Sequence, residues 1–129
     1  MKKIQNYLLL ACFLAGSMTA CHKHEDDAND PVITITAPAA GASISGGVTI
    51  SGVVTDESLH EMTIKVTKDS DNSELFTAAP EVHDLTTYTI AEVWTPSGIT
   101  AETAVTLTVI ASDHSDHTVT TAVKFTVKP

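Results

Sequence analysis

The chain reads as all-β, an antiparallel β-sandwich of about seven strands, on three observations. From Val32 to Val127, apolar side chains alternate with threonine or other polar ones in run after run. Those runs are rich in Val, Ile and Thr, the residue types that fit a pleated, half-buried surface. Pro, Gly, Asn and Asp break them at short intervals, and no segment keeps a 3.6-residue apolar period long enough to compete as a helix.

The elements follow in order. Val32-Ile33-Thr34-Ile35-Thr36 alternates as a half-buried strand does, and Pro38 and Gly41 end it. Val48 to Thr55 comes next, with Val48, Ile50 and Val54 on one face. Met62, Ile64 and Val66 set the following strand, which turns at Asp69-Ser70-Asp71-Asn72. A short segment around Leu75 and Phe76 precedes Pro80, and Thr86 to Trp94 forms a further strand closed by Pro96-Ser97-Gly98. Val105 to Ala111 alternates most strictly, placing Val105, Leu107, Val109 and Ala111 inward. Across the turn from Asp113 to His117, Thr118 to Val127 pairs back with Val123, Phe125 and Val127 inward. This is one domain, residues 32–129.

Residues 1–20 have a different character. Lys2 and Lys3 precede a short apolar run from Tyr7 to Ala15, and small residues lead into Cys21. The run is too short for the roughly 20 residues a bilayer span needs, so it reads as a secretory signal peptide. Residues 21–31 carry His, Lys, Asp, Glu, Asn and Pro without an apolar period and read as a flexible tether. Cys12 leaves with the leader, so the mature domain contains no cysteine for a disulfide, a thiolate metal site or a nucleophile.

The chain has 16 acidic and 7 basic residues, a formal charge of −9 with histidine neutral, and no arginine. Loss of Lys2 and Lys3 makes the mature chain two units more negative still. Such a surface repels polyanions, which excludes nucleic acid as a partner; it suits divalent cations or basic partners, or simple solubility.

Four resemblances follow from these residues. Thr19-Ala20-Cys21 resembles the lipobox of bacterial lipoproteins, which implies a lipid on Cys21 and attachment to a membrane. The acidic run Glu25-Asp26-Asp27 is similar to the surface-export signal of Bacteroidota lipoproteins, with His22-Lys23-His24 inserted before it; this implies an outer-membrane, outward-facing protein. From residue 31 onward the chain resembles a bacterial immunoglobulin-like module, on Pro31 to Ile35 with Pro38, Gly41, Ile50-Ser51-Gly52 with Asp56-Glu57, and Ala111-Ser112-Asp113. It is similar as a whole to single-domain Bacteroidota lipoproteins of unknown function. The cysteine pair, the third-strand Trp and the sixth-strand Tyr of antibody domains are missing.

No phosphate loop, nucleophile elbow or His-Glu-x-x-His helix occurs, so no catalytic residues are assigned and the chain is not read as an enzyme. Histidine is the feature that carries chemistry, with six in the chain. In a sandwich of this kind the loops following Thr55, preceding Thr86 and following Ala111 gather at one end. They carry Asp56, Glu57 and His60; His83 and Asp84; and Asp113, His114, Asp116 and His117. The candidate metal ligands are His60, His83, His114, His117, Asp113 and Asp116. Imidazoles with carboxylates suit zinc, copper or nickel, and carboxylates alone suit calcium. Ordinary hydrophilic loops would carry the same residue types. His22 and His24 are better read as tether than as a capture tail, because ordering them costs roughly 1–2 kcal/mol per residue. Trp94 is expected to plug the core rather than stack on a sugar.

The expected function is a lipid-anchored binding or accessory module with a protein or glycan partner. The alternatives are a metal-binding lipoprotein built on the loop histidines and a glycan-binding or adhesion accessory.

Overall fold

The computed structural model describes residues 28–129, all of it β-strand, turn and loop. Eight strands form two sheets: β1 (Val32–Ala37), β2 (Ser43–Ser45), β3 (Val48–Thr55), β4 (Leu59–Lys68), β5 (Glu74–Ala78), β6 (Thr87–Trp94), β7 (Thr103–Asp113) and β8 (Thr118–Lys128). One sheet runs β1-β3-β6 and the other β2-β8-β7-β4-β5. Every pair is antiparallel except β2 with β8. This is an immunoglobulin-like sandwich.

The inward faces are those the alternation predicts. Val48, Ile50 and Val54 of β3 face Ile64 and Val66 of β4 and Val105, Leu107 and Val109 of β7, all fully buried. Trp94 is 6% exposed and lies 6.4 Å from Phe76, ring to ring, so it closes the space between the sheet edges at β6 and β5. It offers no platform for a sugar.

The eighth strand is the departure from expectation. Ser43-Ile44-Ser45 is too short to show a period, yet after the turn at Pro38–Gly41 the chain crosses to the second sheet and lies parallel to β8. The tether also ends earlier than expected: Pro31 is buried, and Asn29 Nδ2 donates to Glu57 Oε1 at 3.4 Å. The leader, Cys21 and the tether histidines lie outside the described residues.

Two sequence details shape the end that matters. In β4 the burial order is buried, exposed, exposed, buried from Leu59 to Met62, and the pairing with β7 shifts register between Leu59 and Glu61. His60 is the extra residue of a β-bulge, a device that re-aims a side chain. At the same end of the pairing, β7 continues to Asp113, which pairs with Leu59 across the bulge.

Candidate metal centre

Three loops are fastened to one another at the bulge. Leu59 N donates to Leu85 O at 2.9 Å and Asp84 N donates to Leu59 O at 2.8 Å, tying the segment before β6 to the start of β4. Leu85 N donates to Val82 O, closing a turn in which Asp84 has a φ of 64°. Aspartate tolerates that left-handed conformation better than most residues. Val82, 1% exposed, anchors the turn in the core and leaves His83 and Asp84 at the surface. The β7–β8 turn is held by His114 N donating to Ser58 O at 3.3 Å.

These ties bring three imidazoles together, His83 and His114 from turns and His60 from the bulge in β4 rather than from the loop where the sequence placed it. Ring centroids of His60 and His114 lie 4.6 Å apart, those of His83 and His114 4.6 Å, and those of His60 and His83 5.4 Å. One ring nitrogen from each lies within 4.8 Å of the others. Nitrogens around a tetrahedral zinc stand about 3.3 Å apart, given bonds of about 2.0–2.1 Å. Closing the difference takes small side-chain rotations, which exposed rings can make.

Asp84 organises two of the three. Its Oδ2 lies 3.1 Å from His83 Nδ1 and its Oδ1 3.0 Å from His114 Nε2. Both are contacts at ion-pair distance, in which the negative carboxylate attracts the nitrogen edge of each ring. Metal-binding histidines are oriented by outer-shell carboxylates in this way. His60 Nε2 has Glu61 Oε1 at 4.0 Å, too far for a hydrogen bond.

The other candidates do a different job, which corrects the expectation for Asp113, His117 and Asp116. Asp113, its side chain 1% exposed, spends its carboxylate on its own turn. Oδ1 accepts from Ser115 N and His117 N at 2.8 Å each, and Oδ2 takes His117 Nδ1 at 2.7 Å. Burial pushes the Asp113 carboxyl up, but the hydrogen bonds from the His117 ring and the His117 and Ser115 amides outweigh it. The group stays below the usual carboxylate range. Asp116, with a φ of 66°, completes the turn and lies outside the group of imidazoles. With these carboxylates employed elsewhere, the donor set is imidazole, which suits zinc, copper or nickel and turns away from calcium.

Asp84 is the residue that sequence reasoning passed over as a ligand-shell group; its adjacency to His83 was the available signal. Beside the cluster runs an open groove of about 450 Å³, bordered by His60, Glu61, Thr63, Pro80, Glu81 and His83.

Fold and cluster together define a small β-sandwich carrying a trio of surface imidazoles at one loop end. No family model and no curated protein matches the chain. Among solved structures it is similar to the crystal structure of an engineered protein, at 19% identity and a TM-score of 0.55. The match covers 78% of this chain and 20% of that one, so the chain spans about a fifth of its length. That likeness concerns the fold alone.

Proposed function

We propose that the chain is a lipoprotein whose immunoglobulin-like domain captures a divalent transition metal through His60, His83 and His114, acting by binding rather than catalysis. The convergence of three imidazoles from three separate segments, the β4 bulge and two turns, carries this reading. The acidic surface supports it by raising the local concentration of cations. Anchoring is supported by the leader and by the lipobox-like ending at Cys21, and the acidic run after it favours the outer face of an outer membrane.

The chain approaches its domain beside this site, since Val32 pairs with Thr55 and Asn29 reaches Glu57. The chain therefore enters the domain at the imidazole end, and residues 21 to 31 reach at most roughly 40 Å when extended.

Calorimetry of the chain with His22→Ala and His24→Ala is the test, because it removes the tether imidazoles from the signal. Zinc or copper should bind one per chain and raise the melting temperature, since a ligand of the folded state stabilises by mass action. Binding should weaken on acidification, as protons take the imidazole lone pairs. No heat at micromolar metal, or heat unchanged by His83→Ala with His114→Ala, would remove the metal function. For the anchor, Cys21→Ser should abolish membrane retention in cell fractionation; full retention would refute lipidation there.

A further inference from the structure

Zinc and its neighbours take four ligands in closed sites and leave a position open where the protein supplies three. Among the described residues the metal cluster contains three imidazoles and no carboxylate. The nearest carboxylate, Asp84, has one oxygen on His83 and the other on His114. Asp113 is buried in its turn with His117 on it. The open groove shares His60 and His83 with the cluster, so the metal would sit at its wall.

The groove has the capacity of a small-ligand site, and its rim is acidic. Glu61 is exposed beside His60, and Glu81 is exposed beside His83, whose backbone N–H donates to Glu81 Oε1 at 3.2 Å. An anionic ligand approaching here meets two carboxylates and an acidic chain. A neutral nitrogen donor does not, and flanking positive charge is attracted.

Building on the metal reading, we propose that the three-imidazole metal keeps its fourth position open toward the groove and there takes the imidazole of a histidine flanked by basic residues on a partner peptide. Coordination supplies the bond and the Glu61–Glu81 rim supplies the preference. No covalent bond is made or broken; a water leaves the metal and a nitrogen lone pair replaces it. The partner is thus defined by chemistry, a basic histidine-bearing segment.

The test uses the chain with His22→Ala and His24→Ala, loaded with cobalt(II), whose visible bands report coordination. Acetyl-Lys-His-Lys-amide should shift the bands saturably at one per metal. Acetyl-Glu-His-Glu-amide should bind at least about fivefold more weakly, given the modest strength of exposed ion pairs. Acetyl-Lys-Ala-Lys-amide should leave the bands alone. Glu61→Gln with Glu81→Gln should abolish the preference between the two histidine peptides while cobalt still binds.

Failure has two distinct forms. Absence of cobalt bands before any peptide is added would overturn the metal site and this inference with it. Intact bands that no histidine peptide moves, or that both move equally, would leave the metal site standing and overturn the inference.

Discussion

Asp84→Asn isolates the organising role of one carboxylate without disturbing the backbone. Asparagine is nearly isosteric and tolerates the left-handed φ of 64° at this position, so the turn should persist. The chemistry changes sharply. Asp84 lies 3.1 Å from His83 Nδ1 and 3.0 Å from His114 Nε2 and attracts both rings by its charge, whereas a carboxamide is neutral and presents one acceptor and one donor. One ring then faces an NH2 group in place of a carboxylate oxygen, and both lose the charge that orients them.

Loss of an outer-shell partner typically costs 10- to 100-fold in metal affinity, about 1.4–2.8 kcal/mol. The stability cost should be far smaller, within about 0.5 kcal/mol, because Asp84 is 70% exposed and its interactions are screened. Zinc calorimetry reads the affinity, and thermal unfolding of the metal-free chain reads the stability. The organising role of Asp84 is refuted if zinc affinity is unchanged in the variant. It fails equally if affinity and metal-free stability fall together, since that would mean Asp84 only holds the loop.

Leu107→Ala removes a fully buried side chain from the centre of β7 and should cost roughly 2–5 kcal/mol, while Thr108→Ala on the outer face should cost under about 1 kcal/mol; denaturant midpoints compare them, and equal shifts would refute the register. Gly52→Ala should cost roughly 1–3 kcal/mol in the same assay, because a Cβ there collides with the Thr34 carbonyl oxygen across the β1–β3 pair. Asp113 ionises at lower pH folded than unfolded, so the stability it contributes is present above the unfolded value near 3.9 and is lost as pH falls through the folded value. Asp113→Asn should flatten the acid limb of the stability curve while leaving zinc affinity at neutral pH within about threefold, because Asp113 lies outside the trio; an unaltered acid limb would show that the turn does not depend on the charge.

The strands were legible because a two-residue period survives in the composition itself. Leu107 and Val109 alternate with Thr106 and Thr108, and a one-residue slip would have turned apolar residues to water. Strand β2 escaped because three residues between glycines carry no period. The gathering of the loops could be deduced from which strand ends share an edge of the sandwich. Which histidines meet could not. His117 and His114 stand in the same turn, and only the buried Asp113, accepting from backbone amides two and four residues ahead, turns the His117 ring away. His60 depends on a bulge, a single residue out of step between β4 and β7 that has no signature in either strand alone.

The contrast between the domain histidines and those of the tether favours the domain as the place for the proposed metal site. Binding at His22 and His24 would charge the ordering of the chain, roughly 1–2 kcal/mol per residue, against the affinity. At the sandwich end that ordering is complete before any ligand arrives. Leu59, Asp84, Leu85, His114 and Ser58 share backbone hydrogen bonds across three loops, and Val82 and Leu59 seat those loops in the core. What remains is rotation of exposed rings, two of which Asp84 already holds by one nitrogen. Preorganisation of this kind raises affinity without adding a contact. It also ties the site to the fold: a change that loosens the bulge at His60 should weaken metal binding even with every imidazole still present.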